Sequence, residues 1–451
     1  MSGPEVITLG CRLNIAESEA MRSLAAGRDD LIIVNSCAVT NEAVRRTRQA
    51  IRRAKRDRPD AEVVVTGCAA EVEPETFRAM PEVARVVGNG WKLHSGSFTP
   101  TVRAEPVEAL PFLAAPQEGK AGLQQAQAER SRGSAEQVIV AAGTRTRAFI
   151  AVQNGCDHRC TFCIIPYGRG NSRSAPAGLV IDQVKSVVDS GAREVVLTGV
   201  DVTSYGPDLP GAPSLGSLVE RILRHVPDLE RLRLSSLDSV EIDPRLEEII
   251  CNEPRFMPHL HMSFQAGDDM ILKRMKRRHS RGQAIDTVRR LKDKRPGLAI
   301  GADLIAGFPT ETDAMHLNSL SLIDECDIVM GHIFPYSPKA GTPAARMPQV
   351  PAPVVRERAR RLRKASARRK SLWLEQMVGT RQRVLMEKGG TGHAENFAPI
   401  LLRHPREGGG PASSPEAYDK RDSRFRGNNE GKLVEVMVTG VENGILTGGP
   451  L

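Results

Sequence analysis

Three times in its first ~95 residues the chain runs a short, mostly β-branched apolar segment into a cysteine. Glu5-Val6-Ile7-Thr8-Leu9-Gly10 leads to Cys11, Leu31-Ile32-Ile33-Val34-Asn35-Ser36 to Cys37, and Glu62-Val63-Val64-Val65-Thr66-Gly67 to Cys68. Segments of this length and composition predict parallel strands buried on both faces. Helix-compatible stretches, Ala16–Ala26 and Glu42–Asp57, lie between them. The cysteines are 26 and 31 residues apart, close to the ~30 residues of a βαβ unit. Ligands of an open α/β sheet gather at the carboxyl ends of its strands, so three cysteines placed this way would meet at one edge. That arrangement points to a three-thiolate site. The competing reading is three core cysteines, since free cysteine is among the most buried residue types.

Residues 97–141 break the pattern. They are rich in Pro, Ala, Gln, Glu and Ser without apolar periodicity, which predicts a linker or disordered insertion. From Arg147 to about Val350 alternation returns. Strands are expected at Ala148–Val152, Glu194–Thr198, Arg231–Leu234, His259–Phe264, Ala299–Ile305 and Ile328–Ile333. Helices are expected at Leu179–Gly191, Leu215–His225, Pro244–Asn252, Asp268–Met275, Gly282–Arg295 and Asp313–Glu325. Repeated βα units make a parallel sheet, open or closed. Six of them in ~200 residues suggest a partial (βα)6 barrel, whose chemistry belongs at its C-terminal mouth. A basic helix at 354–376 then leads to strands at Thr380–Glu387, Leu433–Gly440 and Gly444–Gly448, expected to form a small antiparallel barrel. The Gly-, Pro- and charge-rich Arg403–Glu430 interrupts it as a disordered loop.

The expected fold class is therefore α/β. An N-terminal α/β three-cysteine domain (1–96) is followed, after the 97–141 linker, by a central partial barrel (142–350). A basic helical connector (351–376) and an antiparallel β-barrel (377–451, interrupted at 403–430) complete it.

Composition narrows the function. Among 451 residues the hydrophobic fraction is 40%, enough for real cores. No apolar run approaches the ~20 residues of a membrane span, and no signal-peptide pattern opens the chain, so a cytoplasmic protein with no membrane partner is expected. There, eight cysteines speak for metal or catalysis before disulfides. The net charge of +9 is clustered. Val44–Arg58 holds Arg45, Arg46, Arg48, Arg52, Arg53, Lys55, Arg56 and Arg58 against Asp57, Arg356–Lys370 holds nine basic residues against Glu357, and Lys273–Arg278 is a third run. Such runs are often solvated helix faces; three in one basic chain favour a polyanion, most simply nucleic acid. Aromatic residues at 4% argue against a base-stacking platform.

The densest chemistry lies just past the first barrel strand, in Gly155-Cys156-Asp157-His158-Arg159-Cys160-Thr161-Phe162-Cys163. Three thiolates in eight residues suit a shared soft metal centre. A four-iron cluster held by three cysteines keeps one iron open to a small molecule. A zinc site short of one ligand and a set of reduced thiols are the alternatives. Cys251 and Cys326 fall in helical segments and read as packing residues. The lone His158 and His279 are assigned no metal.

With its surroundings, C-x3-C-x2-C resembles the signature of radical S-adenosylmethionine enzymes. Gln153-Asn154-Gly155, Cys163-Ile164-Ile165-Pro166-Tyr167-Gly168-Arg169-Gly170, Val196-Leu197-Thr198-Gly199-Val200, Arg233-Leu234-Ser235-Ser236, Ile305-Ala306-Gly307-Phe308-Pro309, Phe334-Pro335-Tyr336-Ser337-Pro338 and Gly341-Thr342-Pro343-Ala344-Ala345 look like the methylthiotransferase branch. The order of parts agrees, ending in a TRAM barrel that binds RNA. Thr8-Leu9-Gly10-Cys11-Arg12-Leu13-Asn14 and Asn35-Ser36-Cys37-Ala38-Val39-Thr40 most resemble the MtaB type. Members of that type place a methylthio group on C2 of N6-threonylcarbamoyladenosine beside the anticodon of tRNA. Sister branches act on isopentenyladenosine in tRNA or on an aspartate of a ribosomal protein.

The resemblance implies two 4Fe-4S clusters and S-adenosyl-L-methionine as cofactors. Cys156, Cys160 and Cys163 would hold the cluster whose open iron binds and cleaves S-adenosylmethionine. Cys11, Cys37 and Cys68 would hold an auxiliary cluster for the inserted sulfur. Thr198, Gly199, Ser235, Ser236 and Gln265, at strand ends, would contact S-adenosylmethionine, although strand-end turn chemistry is the ordinary role of such residues. The implied partners are the tRNA anticodon stem-loop, an electron donor such as a flavodoxin or ferredoxin, and a sulfur source. A non-enzymatic iron–sulfur RNA-binding protein is the alternative of another class. Two departures stand out: Cys11 to Cys37 is short for the family, and Arg403–Glu430 looks like a translated interspersed DNA repeat, as does Thr101–Leu110.

Overall fold

A computed structural model describes residues 3–94, 96–99, 146–403 and 430–451. Most of the two irregular segments, expected as disordered insertions, lies outside the described residues. At the N-terminus β1 (Glu5–Thr8), β2 (Leu31–Ser36), β3 (Glu62–Gly67) and β4 (Arg85–Val86) form a parallel sheet in sequence order. Its helices are α1 (Arg12–Leu24), α2 (Asn41–Asp57), α3 (Cys68–Val72) and α4 (Pro74–Arg78). The register sets Thr8 beside Asn35 and Asn35 beside Thr66, so the residues after the three strands share one edge.

Helix α1 starts at Arg12, four residues before the sequence expectation, and Ala25–Asp30 closes the short connection to β2. The domain also runs past the expected boundary at 96. Phe98 is buried in one cluster with Met21, Leu31, Ile33 and Val64.

The central unit opens with β5 (Arg147–Ala151) and a small hairpin, β6 (Gln153–Asn154) with β7 (Arg173–Ser174), around α5 (Ile165–Arg169). Then come α6 (Ala177–Asp189), β8 (Glu194–Thr198), α7 (Leu215–His225), β9 (Arg231–Leu234), β10 (Ser236–Leu237) and α8 (Pro244–Asn252). It continues with β11 (His259–Gln265), α9 (Asp269–Met275), α10 (Arg281–Lys294), β12 (Ala299–Ala306), α11 (Asp313–Glu325) and β13 (Ile328–Pro335). The parallel sheets β5-β8-β9 and β10-β11-β12-β13 are joined in the chain by Ser235. Together they form an arc whose first and last strands are not paired with each other.

Alternation along each strand sorts two environments. Ile150, Val195, Leu197, Leu232, Leu234, Leu260, Met262, Ala302 and Leu304 are buried in one core with the helices. Their intervening neighbours Phe149, Asp303 and Ile305 are partly exposed, and side-chain exposure at His332 reaches 61%. The inside of the arc is thus partly open to solvent, while over β8 and β9 the inward Glu194, Val196, Arg231 and Arg233 are buried.

Helix α12 (Ala352–Glu375) lies against β13 with Val355, Ala359 and Leu362 buried. Part of the basic run therefore faces inward: buried Arg358 donates to the Glu311 carbonyl at 2.8 Å and to Asp313 at 2.7 Å. The chain ends in a closed barrel of β14 (Arg381–Met386), β15 (Thr391–His393), β16 (Pro399–Leu402), β17 (Leu433–Glu442) and β18 (Ile445–Pro450), ordered β14-β15-β16-β18-β17. The sequence pattern had signalled three of these strands. β15 and β16 are too short for a periodicity to register. Cys326 is buried just after α11, and Cys251 in α8 packs partly buried against the same core.

Candidate functional site: two three-cysteine sets

Cys11, Cys37 and Cys68 sit together past β1, β2 and β3. The turns leave no freedom: Gly10 has φ +109°, and a Cβ there would lie 2.9 Å from Cys37 Cβ. Gly67, at φ +92°, would meet the Ser36 carbonyl at 2.4 Å, so only glycine fits before Cys11 and Cys68. Burial pushes the Cys37 thiol up to about 11, with Cys68 and Cys11 adding to the shift.

Beneath Cys68 lies a buried ion network. Arg169, at the end of α5, places Nε 3.1 Å from Cys68 Sγ. Its terminal nitrogens donate to Glu17 at 2.7 and 3.0 Å, to Asn14 at 2.6 Å and to Asn154 at 2.9 Å. Lys92 donates to Glu17 at 2.6 Å, and both side chains are almost fully buried. Two cations thus face one carboxylate. The excess charge is balanced when Cys68 is a metal-bound thiolate, which fits a metal centre at these three sulfurs.

The second set occupies the loop between β6 and α5. Backbone bonds from Cys156 N to Gly170 O (3.1 Å) and from Cys163 N to Cys160 O (3.1 Å) fix it. Burial raises Cys156 and Cys163 to about 12, and Asp201, 3.7 Å from Cys156 Sγ, adds to the rise at Cys156. Deprotonating such thiols takes a bound cation. Arg277 lies 3.7 Å from Cys160 Sγ while donating to Asp238 at 2.7 Å and to the Ser263 carbonyl at 2.8 Å. The two sets are neighbours. A Cβ on Gly168, in α5, would stand 3.4 Å from the Cys68 carbonyl, and the charge of Cys68 acts on Cys163.

Among the described residues, the groups of three His, Cys, Asp or Glu ligand atoms within 4.8 Å of one another are Cys156–His158–Asp201 and His261–Asp303–His332. Neither cysteine triplet is drawn that close, whereas three thiolates on one zinc ion would stand ~3.8 Å apart, given Zn–S of about 2.3 Å.

The expected cofactor contacts share the mouth with Cys156. Thr198 is buried at the end of β8, and a Cβ on Gly199 would meet Gln153 Oε1 at 2.8 Å. Ser235 is buried with its Oγ lacking a partner among the described residues, which suits a bound ligand. Ser236 lies opposite His261. Gln265 ends β11 at φ +68°, a strained position for a residue with a side chain.

Sequence reasoning missed the groups that position these sets. Asp201 sits 2.7 Å from His158 Nε2, receives the Ser204 hydroxyl at 2.8 Å and tethers the cysteine loop to the end of β8. Gln153 accepts from Asp201 N at 2.9 Å and donates to Ser172 at 2.9 Å. Arg169 and Glu17 carried no sequence signal of their partnership, being 152 residues apart. His279 is buried near Asp238 at 3.6 Å.

Residues 150–323 match the model of the Radical SAM superfamily, and residues 5–88 match that of Uncharacterized protein family UPF0004. A Rickettsia prowazekii protein named threonylcarbamoyladenosine tRNA methylthiotransferase MtaB is 46% identical over 400 residues, covering 88% of this chain and 91% of that protein. A Bacillus subtilis protein of the same name is 36% identical, covering 79% and 78%. An Erythrobacter litoralis protein named tRNA-2-methylthio-N(6)-dimethylallyladenosine synthase is 31% identical, covering 85% and 86%. Among solved structures, a radical S-adenosylmethionine methyltransferase from Kitasatospora setae aligns with a TM-score of 0.47 at 19% identity, covering 70% of this chain and 66% of that one.

Proposed function

This chain belongs to the radical S-adenosylmethionine methylthiotransferase family, and from that premise we propose that it inserts sulfur and a methyl group at C2 of N6-threonylcarbamoyladenosine next to the anticodon of tRNA. The observation that carries the choice of substrate is the 46% identity, over nearly the whole of both chains, to a relative named for that nucleoside, against 31% for one named for the dimethylallyl nucleoside.

Cys156, Cys160 and Cys163 would hold one 4Fe-4S cluster, and Cys11, Cys37 and Cys68 the other. When bound, these clusters supply reductive cleavage of S-adenosylmethionine and a site for the sulfur to be inserted. Arg169 supports the auxiliary site by offering a hydrogen bond to Cys68 and by fastening α5 to α1. Asp201 and Gln153 hold the Cys156 loop in register with the ends of β5 and β8. Thr198, Gly199, Ser235, Ser236 and Gln265 would line the S-adenosylmethionine site, where Ser235 offers an uncommitted hydroxyl.

Arg45, Arg46, Arg52, Arg53 and Arg56 on α2 have side chains 60–78% exposed and would meet tRNA phosphates. The run at Lys273–Arg278 is divided, with Arg277 turned into the cysteine site. A flavodoxin- or ferredoxin-like electron donor, a separate sulfur source and a cytoplasmic location go with this function. Among the described residues no helix is long and apolar enough to cross a membrane.

The test is anaerobic reconstitution with iron and sulfide, then dithionite, S-adenosylmethionine and an anticodon stem-loop RNA bearing threonylcarbamoyladenosine. The expected products are 5′-deoxyadenosine and the 2-methylthio nucleoside. No 5′-deoxyadenosine under any condition would indicate a non-enzymatic iron–sulfur protein. Methylthiolation of isopentenyladenosine, or of a ribosomal-protein aspartate instead, would move the chain to a sister branch.

A further inference from the structure

The floor of the arc gathers three arginines around one buried carboxylate, with Glu387 and Glu395 of the C-terminal barrel beside them. Arg147, Glu194, Arg231 and Arg233 alternate along β5, β8 and β9 with residues buried under the helices, so they point inward. Glu194, fully buried, is paired with Arg147, lies 2.9 Å from Arg233 Nε and 3.8 Å from Arg231. Arg147 also reaches Glu387 at 3.1 Å. The other inward carboxylate, Asp303, is taken by His261 at 2.9 Å and His332 at 3.3 Å.

Into this place α1 delivers Arg12, the residue after Cys11. The guanidinium groups of Arg12, Arg147 and Arg233 stand 5.9, 5.1 and 5.0 Å from the centre of the Phe397 ring, contributed by the C-terminal barrel. Arg12 has no ion-pair or hydrogen-bond partner among the described residues. Arg147 Nη2 and Arg233 Nη1 are likewise buried without a partner, and Arg233 is only 2% exposed. Unsatisfied buried N–H groups beside an unpaired guanidinium describe an anion site. Above this floor the partly exposed Phe149 and Ile305 and the 38% exposed Phe334 add apolar surface beside the exposed His332.

We propose that Arg12, with Arg147 and Arg233, binds the carboxylate of the N6 substituent when a modified adenosine enters the arc. The inference rests on the methylthiotransferase function proposed above and deepens it. An acidic threonylcarbamoyl group would satisfy the free donors, whereas an apolar dimethylallyl group would leave them desolvated and unpaired. Sites built to hydrogen-bond a ligand group discriminate strongly against analogues that lack it. Arg12 would thus select the substrate from a position adjacent to the auxiliary-site cysteine.

The experiment measures binding of the full-length, cluster-loaded protein without reductant to three stem-loop RNAs of one sequence. Their target nucleoside is threonylcarbamoyladenosine, its carboxylate methyl ester, or isopentenyladenosine. Wild type is expected to bind the acid form about 10- to 100-fold more tightly than the ester. In Arg12→Gln that ratio is expected to collapse towards one while affinity for the ester stays unchanged, and Arg12→Lys is expected to retain part of it. Iron content and circular dichroism equal to wild type identify variants that are folded and loaded. Arg12→Gln keeping the wild-type ratio, or Arg12→Lys losing it as fully as Arg12→Gln does, would overturn the proposal while the substrate assignment stands. A wild-type protein that prefers the isopentenyl RNA would overturn the substrate assignment itself.

Discussion

Replacing Glu17 with glutamine probes the buried network under Cys68 without changing its shape. Glu17 receives Lys92 at 2.6 Å and Arg169 at 2.7 and 3.0 Å, with essentially no solvent access. In Glu17→Gln the amide oxygen still accepts one bond, but the amide nitrogen faces a cation, and two buried positive charges lose their carboxylate. Breaking a buried ion pair on one side costs about 3–5 kcal/mol. A second route gives a similar size. Burial alone would raise the Glu17 pKa, but Arg169 and Lys92 overcome it and hold the group at about 2, against 4.5 for an unburied glutamate. At ~1.4 kcal/mol per pH unit that difference is worth about 3 kcal/mol. The folded-state pKa is depressed, so this stabilisation is fully present above pH ~4.5 and is lost as the pH falls towards 2. With a urea m-value of ~2 kcal/mol/M the midpoint should drop by about 2 M, read from Trp91 beside Lys92. Glu42 is held equally low by Arg45 and Arg46 but is solvent-exposed on α2, so Glu42→Gln should barely move the midpoint. A Glu17→Gln shift below about 0.5 M, or one no larger than that of Glu42→Gln, would refute the idea that these charges are desolvated and interdependent.

Alanine at Cys156, Cys160 and Cys163 together should leave about four irons per chain and abolish 5′-deoxyadenosine formation. Alanine at Cys11, Cys37 and Cys68 should also leave about four but spare that cleavage, as iron assays and chromatography would show. Phe98→Ala should destabilise the N-terminal domain by about 3–5 kcal/mol in urea unfolding, because the ring is buried against Met21, Leu31 and Ile33; a neutral result would put the domain boundary back before it. Affinity for tRNA should fall at least about tenfold between 50 and 200 mM salt, and Arg45→Gln/Arg52→Gln/Arg53→Gln should flatten that dependence in a filter-binding titration.

The strands and helices of the arc were legible because each carries a strong period: the expected ends of α7, α8 and α11 coincide with Leu215–His225, Pro244–Asn252 and Asp313–Glu325. Cys11, Cys37 and Cys68 were legible as strand-end residues for the same reason, since β-branched runs announce where a buried strand stops. What the sequence concealed was pairing at long range. Arg169 reads as part of a short loop motif, and only the docking of α5 on α1 shows that it answers Glu17. Arg277 and Arg358 belong to basic runs that pattern alone assigns to solvent, yet both turn inward, because a carboxylate or carbonyl on another element waits there. Arg12 appeared in the sequence only as a member of the motif around Cys11, and its place beside Phe397 depends on how the N-terminal sheet, the arc and the C-terminal barrel meet.

The most direct test of the proposed activity is mass spectrometry of nucleosides from bulk tRNA of the source cell, with and without the gene. Loss of 2-methylthio-N6-threonylcarbamoyladenosine, with accumulation of its unmethylthiolated precursor and restoration by the intact gene but not by Cys11→Ala, is the predicted result. Unchanged levels of that nucleoside, or a change confined to the isopentenyl series, would contradict it.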